Sequence, residues 1–301
     1  MTYIDNTTPV IVGEVLFDCF PDGNAVLGGA PFNVAWHLQG FGLSPYMVSC
    51  VGKDEHGKHV LESMRDWRMD TRGIQVNSDY PTGEVTVSIT DGHPSYDIKP
   101  DQAYDHIDAE QALTIMRNEN YALLYHGSLI TRTPRSRTMV DALLNTMVLP
   151  SFVDINLRPP WWTKEDVHVS LSQAAWVKLN ESELLTIMEV KEDSTVSLFQ
   201  YARDFMDKFQ LDLVIVTQDE RGAFCVTKDD VISGAPVQAN VVDTVGAGDA
   251  FSSVMIMGLI YDWPLSQTLE RSLQFAALIC ERQGATTMDR ALYASCLEQW
   301  T

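Results

Sequence analysis

Residues 243–251 (Asp-Thr-Val-Gly-Ala-Gly-Asp-Ala-Phe) constrain the fold of this chain more than any other stretch. The glycines at 246 and 248 permit backbone conformations closed to residues with a Cβ, so successive N–H groups can converge on one anion. Residues 250–261 form an apolar, helix-compatible run, which would place those N–H groups at a helix N-terminus, where the macrodipole favours negative charge. The stretch therefore predicts a phosphate site.

Asp249 is an unusual residue beside a phosphate, because its carboxylate would repel the bound anion. A carboxylate there is better suited to accepting a proton from an attacking hydroxyl group. A short G-x-G-D string taken alone more often marks a helix that follows a Gly-rich turn and has an acidic first turn. The full string favours a phosphate site in which Gly246, Ala247 and Gly248 supply the amides and Asp249 is the base.

A second glycine-containing stretch lies at residues 28–42 (Gly-Gly-Ala-Pro-Phe-Asn-Val-Ala-Trp-His-Leu-Gln-Gly-Phe-Gly). Gly28 and Gly29 would let the backbone approach a ligand closely, and the following proline is typical of a helix start. Asn33 would lie in the first turn of that helix, where its amide can donate to and accept from a polyol. The alternative is a capping asparagine with glycines that serve packing.

These two stretches resemble the C-terminal and N-terminal signatures of the ribokinase-like (PfkB) carbohydrate kinases, and are most similar to those of bacterial fructokinases. The resemblance extends over essentially the full chain. It implies an anion hole in the glycine loop, a catalytic base at Asp249, and a sugar bound by Asp18, Gly28, Gly29, Asn33 and Asp249. For Asp18, the residues alone allow a solvated turn acid equally well.

The same resemblance adds site residues between the two signatures. It implies that Arg158, at the end of an Asp-Ile-Asn-Leu-Arg segment, approaches the transferred phosphoryl group, whose equatorial oxygens suit a guanidinium. A surface ion pair is the alternative. Asn180 and Glu183 match the family's N-x-x-E segment, which implies a nucleotide contact and a carboxylate that acts on Mg²⁺ through water. By itself, N-x-x-E usually marks a helix N-cap.

The nucleotide-side loops match the family less completely. Residues 217–222 (Thr-Gln-Asp-Glu-Arg-Gly) stand where the family commonly has Thr-x-Gly-x-x-Gly, so Asp219 replaces a glycine and only Thr217 and Gly222 carry over as nucleotide contacts. Asp243 is implied to neighbour a monovalent-cation site, with an ordinary loop acid as the alternative. The implied cofactors are ATP, Mg²⁺ and, through Asp243, K⁺.

Hydrophobic patterning predicts one α/β domain over residues 1–301, with a doubly wound, mostly parallel sheet flanked by helices. Apolar runs typical of buried parallel strands lie at residues 9–13, 46–51, 122–126, 152–155, 176–179 and 213–216. Helices are predicted at residues 31–38, 55–67, 194–209 and 250–261, from residue 266, and from a start at Pro134.

Two further segments predict a small second sheet. Residues 84–90 and 94–98 alternate in character around a turn at residues 91–92, which is typical of a hairpin. The segments at about 14–27 and 82–100 together resemble the β-sheet lid that covers the sugar in this family, and such a lid would exclude water. A surface hairpin with a structural role is the alternative. Unpaired lid edges would favour a homodimer.

The charge and cysteine content exclude several classes of function. With 41 acidic and 21 basic residues, the formal net charge of −20 disfavours nucleic acids and anionic membranes as partners. Five scattered cysteines indicate neither a zinc site nor a disulfide framework, and no export signal or membrane-length apolar run is present, so a cytoplasmic location is expected. P-loop, dinucleotide-binding, zinc-protease and esterase motifs do not occur in the sequence.

Two basic features are not assigned to the site. His37 is expected to be a core or helix-surface histidine, because no second ligand stands at metal spacing from it. Residues 131–137 (Thr-Arg-Thr-Pro-Arg-Ser-Arg) are expected to be a solvated helix start instead of a clamp for a sugar phosphate.

The predicted activity is ATP-dependent phosphorylation of a hydroxyl group on a free hexose, with D-fructose as the first choice from the resemblance. Ribose, 2-keto-3-deoxygluconate and a nucleoside are alternative substrates, and a non-catalytic sugar-binding regulator on the same fold is the alternative class. A sugar-phosphate substrate is disfavoured, because the sugar-side segment 13–35 contains no Lys or Arg.

Overall fold

The structure is a computed structural model that describes residues 8–90, 93–117, 119–191 and 196–300. Its strands are β1 (Val10–Val12), β2 (Leu16–Cys19), β3 (Ala25–Gly28), β4 (Tyr46–Gly52), β5 (Ile74–Asn77), β6 (Gly83–Thr90), β7 (His93–Ile98), β8 (Leu124–Gly127), β9 (Ser151–Asp154), β10 (Trp176–Asn180), β11 (Leu213–Thr217), β12 (Ala223–Val226) and β13 (Val231–Gly234). Its helices are α1 (Ala30–Gly40), α2 (Glu55–Asp66), α3 (Ala109–Met116), α4 (Pro134–Met147), α5 (Lys164–Ser172), α6 (Glu181–Ile187), α7 (Leu198–Phe209), α8 (Ala247–Ile260), α9 (Leu265–Cys280) and α10 (Arg290–Trp300).

The large sheet has the order β13-β12-β11-β10-β9-β8-β1-β4-β5 among the described residues. Strands β11 to β13 pair in an antiparallel manner, and the other pairs are parallel. The chain builds outward from β1 through β4 and β5 on one side, and through β8 to β11 on the other. The order therefore reverses at β1 and β8, and ligands bind outside the carboxyl ends of the strands at such a point. The predicted doubly wound architecture is confirmed.

A small four-stranded sheet has the order β3-β2-β6-β7. Its strands come from the two segments predicted for it, and β6 and β7 form the predicted antiparallel pair. The turn predicted at residues 91–92 lies outside the described residues. The apolar face of this sheet packs against the region that follows β8, through the cluster Leu16, Val85, Ile98, Leu129 and Trp161. The small sheet is thereby held next to the reversal point.

Helix α8 is buried on nearly all sides, since every residue from Ala250 to Gly258 is buried. It packs between α1 and α9. A helix that is apolar all round belongs inside a protein, and this one starts at the glycine loop. Residues 246–249 are therefore held by a rigid core element.

His37 is a core residue and not a helix-surface one, which decides between the two alternatives expected for it. Its ring is fully buried in α1 and is hydrogen-bonded to the Tyr293 hydroxyl and to the carbonyl oxygen of Ala285, both at 2.9 Å. Burial lowers the pKa of His37 to about 4. The ring is neutral at physiological pH and joins α1 to the C-terminal part of the chain.

The six predicted parallel strands are all present, with ends within two residues of their predicted limits. Helix α7 starts at Leu198, where Ser197 caps it by accepting from the N–H of Gln200; the predicted start at residue 194 lies outside the described residues. Sequence patterning does not predict strands β5, β12 and β13. Each has four residues, and such a short run shows too little periodicity to distinguish a strand from a helix.

None of the described helices is long and apolar enough to cross a membrane.

Candidate active site

Asn33 and Asp249 meet in the structure although 216 residues separate them. Asn33 lies in the first turn of α1 and Asp249 in the first turn of α8, and the Asn33 amide Nδ2 donates to Asp249 Oδ2 at 2.8 Å. Because α1 and α8 pack directly together, this contact belongs to the core of the fold. The two predicted signatures therefore form one site.

Asp18 and Gly28 lie beside this pair. A Cβ placed on Gly28 would be 3.9 Å from both Asn33 Oδ1 and Asp18 Oδ2. Asn33 Oδ1 is buried and has no hydrogen-bond partner in the part of the chain that the structure describes. A buried amide oxygen without a partner is costly, so the site is incomplete without a hydrogen-bond donor. A hydroxyl group from a ligand would supply it.

Gly29 is needed for the packing of the backbone. Its φ is 109°, and a Cβ there would lie 2.6 Å from the backbone oxygen of Glu14. The close approach at this glycine is thus between two segments of the chain, and its contact with a ligand stays a prediction.

The carboxyl group of Asp249 is suited to proton transfer near neutral pH. Burial raises its pKa to about 7, although the hydrogen bond from Asn33 has the opposite effect and lowers it. The charge of Asp154 raises this pKa further, whereas Lys178 and Arg158 lower it. A general base works best when its pKa lies near the working pH.

Arg158 follows β9 and is exposed to solvent. Burial raises the pKa values of the Asp249 and Asp18 carboxyl groups, and the charge of Arg158 lowers both. No ion pair of the described residues includes Arg158, which argues against the alternative of a surface ion pair. Its guanidinium is thus a cation near the site with no carboxylate partner of its own.

The glycine loop offers backbone amides at the start of α8. Gly246 has a φ of 80°, and a Cβ there would lie 2.4 Å from the Cβ of Ala285. The N–H of Ala247 donates within the turn to Thr244, at 3.3 Å. Over the described ranges, the N–H groups of Gly248 and Asp249 have no acceptor, and these two remain free for an anion. The predicted amide of Ala247 is therefore committed to the turn.

Sequence reasoning missed a buried ion pair next to this loop. Lys178 on β10 and Asp154 on β9 lie side by side in register, and Lys178 Nζ donates to Asp154 Oδ1 at 2.8 Å and to Oδ2 at 3.0 Å. A Cβ placed on Gly248 would lie 3.4 Å from Lys178 Nζ. A lysine inside an otherwise apolar buried strand was the signal that could have revealed it.

Glu14 was missed as well. Its side chain is buried, and Oε2 has no hydrogen-bond partner among the described residues. Burial raises its pKa to about 7, and the nearby charge of Asp249 also raises it, whereas Arg132 and Arg158 lower it. The site thus contains two carboxyl groups, Glu14 and Asp249, that are easily protonated, and their protonation lowers the negative charge at the site.

Asn180 and Glu183 form a capping box at the start of α6. Asn180 Oδ1 accepts from the N–H of Glu183 at 2.9 Å, and Glu183 Oε2 accepts from the N–H of Asn180 at 2.8 Å. Glu183 Oε1 also accepts from the N–H of Leu157, which fixes the residue next to Arg158. The structure shows the capping alternative, and the nucleotide and magnesium contacts of these residues stay predictions.

The arrangement of possible metal-binding side chains indicates how a metal ion would be held. No group of three or more His, Cys, Asp or Glu side chains that could hold a metal occurs within the described ranges. Mg²⁺ is commonly held by one or two carboxylates together with water and substrate phosphates. The described residues do not form a protein cage, and since both oxygens of Glu183 accept backbone N–H bonds, a contact with Mg²⁺ through water stays a prediction.

Thr217 and Gly222 flank a tight turn after β11. Gly222 has a φ of 88°, and a Cβ there would lie 2.4 Å from the carbonyl oxygen of Gly234. Asp219 has a φ of 47°, a left-handed conformation that Asp tolerates better than most residues. The loop thus keeps a glycine-like backbone at the position where the sequence departs from the family pattern.

Asp243 connects two loops. Its Oδ1 accepts from the N–H of Val245 and its Oδ2 from the N–H of Gly284, both at 3.0 Å. These bonds join the glycine loop to the loop that contains Gly284. A monovalent cation beside Asp243 stays a prediction.

The expectation of a solvated helix start at residues 131–137 is wrong for Arg132. Helix α4 does begin at Pro134, but the Arg132 side chain is buried and forms hydrogen bonds to Asp105 at 2.8 and 2.6 Å. Its guanidinium also lies 4.7 Å from the ring centre of Trp161. A buried carboxylate and an aromatic face replace water around this cation.

Free amides at a helix start, beside a carboxyl group with a pKa near 7, suit the phosphorylation of a hydroxyl group. The chain belongs to the pfkB family carbohydrate kinases, whose sequence profile matches residues 20–291. It is thus a sugar kinase.

Individual relatives agree with this assignment. The chain is 27% identical over 302 residues to probable fructokinase-6, chloroplastic, of Arabidopsis thaliana, covering 93% of this chain and 77% of that protein. The fructokinase of Xylella fastidiosa, solved with bound ATP, superposes with a TM-score of 0.85 at 21% identity, over 98% of this chain and 99% of that one. A fructokinase variant of Vibrio cholerae, solved with fructose, ADP and a potassium ion, gives a TM-score of 0.79 at 23% identity, over 96% and 97% of the two chains. The fold is shared along nearly the full length.

Proposed function

We propose that this sugar kinase transfers the γ-phosphoryl group of ATP to a hydroxyl group of D-fructose. The observation that carries the proposal is the hydrogen bond between Asn33 and Asp249, with Asp18 and Gly28 alongside. The carboxyl groups of Asp249 and Asp18 and the amide of Asn33 lie close together there. Those groups suit a polyol, since each can bind a hydroxyl group.

In the proposed reaction, Asp249 accepts the proton of the sugar hydroxyl. At the same time, the oxygen of that hydroxyl bonds to the γ-phosphorus of ATP. The bond from that phosphorus to the bridging oxygen breaks, and ADP leaves with the bond's electron pair. The free amides of Gly248 and Asp249 stabilise negative charge on the transferred group, as hydrogen-bond donors at a helix start do. Arg158 stabilises the equatorial oxygens.

Mg²⁺, when bound with the nucleotide, would neutralise charge on the phosphate oxygens, and Glu183 is the carboxylate proposed to approach it through water. Asn180, Thr217 and Gly222 are the proposed nucleotide contacts. K⁺ beside Asp243 is proposed from the family resemblance and from the potassium ion in the Vibrio cholerae structure.

The small sheet is proposed to act as a lid within one functional unit that spans residues 1–301. Its base is attached to the start of α2 by Asp54, which accepts from the Thr82 N–H at 2.8 Å and from the Thr82 hydroxyl at 2.6 Å. A lid over the sugar would exclude water, which would otherwise compete for the phosphoryl group. Exposed Val26 and Tyr96 on the same sheet support the proposal of a homodimer through the lid.

Fructose is proposed from the Asn-Leu-Arg-Pro-Pro-Trp-Trp segment and from the named relatives. A coupled assay of ADP production tests it over a panel of D-fructose, D-ribose, 2-keto-3-deoxygluconate and a nucleoside. We expect turnover to be fastest with fructose. Turnover of ribose but not fructose would reject the fructokinase assignment, and stabilisation by sugar without any ADP production would favour a binding regulator.

A further inference from the structure

Lys178 and Asp154 are placed where their charges act on the phosphoryl-transfer site. Both are almost completely buried, with 7% and 5% of their surfaces exposed. Lys178 Nζ lies close to Gly248 in the glycine loop, and both charges act on Asp249. A buried ion pair gains little stability over an apolar pair of the same size, because each ion must leave water. Stability alone therefore does not explain this pair.

Asp154 also connects three elements of the fold. Besides the ammonium group on β10, its Oδ2 lies 2.6 Å from the hydroxyl of Ser252 on α8 and accepts from the hydroxyl of Tyr125 on β8 at 3.1 Å. The hydroxyl of Ser252 lies 2.9 Å from the carbonyl oxygen of Gly248 as well. The carboxylate is thus bonded to α8 at Ser252, three residues after Asp249.

The two charges act on Asp249 in opposite directions. The ammonium of Lys178 favours an ionised Asp249, and the carboxylate of Asp154 opposes it. The other charged or titratable groups that face Asp249 are Arg158, Glu14 and Tyr125. Asn33 is its neutral hydrogen-bond partner. Lys178 is the buried cation of this set.

We propose that Lys178 and Asp154 are positioning residues of the phosphoryl-transfer site: Lys178 favours the ionised form of Asp249 and adds positive charge beside the glycine loop, while Asp154 holds Lys178 in place next to α8. The kinetic part of this proposal rests on the proposed kinase reaction. The charge effect on Asp249 does not, since it exists in the ligand-free protein.

The experiment compares Lys178→Met and Asp154→Asn with the unaltered protein and with Lys228→Met, which makes the same change at an exposed lysine. Carboxyl ¹³C NMR of the ligand-free proteins follows the titration of Asp249, with its signal assigned by loss in Asp249→Asn. In parallel, kcat/KM for fructose is measured from pH 5 to pH 9. Urea unfolding reports stability.

We expect the titration of Asp249 to move to higher pH by about 1 in Lys178→Met and to lower pH in Asp154→Asn, because a nearby opposite charge favours the ionised form and a nearby like charge opposes it. The acidic limb of kcat/KM should move in the same two directions. Lys228→Met should change neither. A purely structural pair would lower stability in both variants without moving the titration in opposite directions.

An unmoved Asp249 titration in both variants would overturn the proposal, as would a shift in the same direction. If Lys178→Met does not fold, Asp154→Asn and the double variant without either charge carry the test, and the double variant should titrate close to the unaltered protein. Opposite NMR shifts in a protein that turns over no sugar would retain the charge effect and reject the proposed reaction. Normal turnover with unmoved titrations would retain the proposed reaction and reject the charge effect.

Discussion

Replacing Asp249 with Asn tests the proposed base most directly. The change keeps the size and shape of the side chain, and the new amide oxygen can still accept from Asn33 Nδ2, which is 2.8 Å away in the unaltered protein. Only the ability to take up a proton near neutral pH is removed. General bases contribute roughly 10²–10⁴-fold to rate, so we expect kcat to fall by at least about 100-fold.

The same variant should be more stable than the unaltered protein at high pH. Burial raises the pKa of Asp249 from 3.8 to about 7, so the folded state holds this proton more tightly than the unfolded chain does. Stability is therefore lost as pH rises from about 4 to about 7, and the penalty is complete above pH 7. The full shift corresponds to about 4 kcal/mol. Because the side chain is partly exposed and screened by solvent, we expect about 2 kcal/mol.

The assay measures turnover, ATP affinity and melting temperature on one preparation, at pH 5 and pH 8. We expect a melting temperature about 4 °C higher than normal at pH 8, a smaller gain at pH 5, and nearly unchanged ATP affinity, since the backbone amides remain. In the unaltered protein, kcat/KM should rise with pH through about 7 as Asp249 ionises. Near-normal turnover in the Asn variant, with a loss of about 1 kcal/mol of stability, would show a helix-start acid and refute the reasoning.

Three further predictions concern the surroundings of the site. Gly246→Ala should lower the free energy of unfolding by at least about 2 kcal/mol, because the new Cβ would meet Ala285. Gly42→Ala introduces a Cβ at a similar φ but in open space, and should lower the free energy of unfolding by only about 1 kcal/mol. Equal losses for the two variants in urea unfolding would contradict this. Asp54→Ala should raise the KM for sugar and lower stability by about 1–2 kcal/mol, because it detaches Thr82 at the base of the small sheet, and an unchanged KM would argue against a lid. Sedimentation should show a dimer at assay concentration, and a monomer alone would reject association through the small sheet.

Local chemistry determined which segments form the site. The apolar runs predict the parallel strands because buried strands need apolar side chains on both faces, and each is found within two residues of its expected ends. Gly246 marks the start of α8 because its φ of 80° is costly for a residue with a Cβ. Such features depend on a residue and its near neighbours, so they can be read without a structure.

The tertiary structure decided what those segments do together. The contact between Asn33 and Asp249 spans 216 residues and exists because α1 and α8 pack together, which no local pattern specifies. The pairing of Lys178 with Asp154 requires β9 and β10 to be neighbours in the sheet. The pKa of Asp249 near 7 arises mainly from burial, a property of every group packed around the carboxylate. Long-range contacts and desolvation depend on the whole fold, so a lysine in an apolar strand can be noticed in the sequence, but its pairing and its effect on the proposed base require the folded chain.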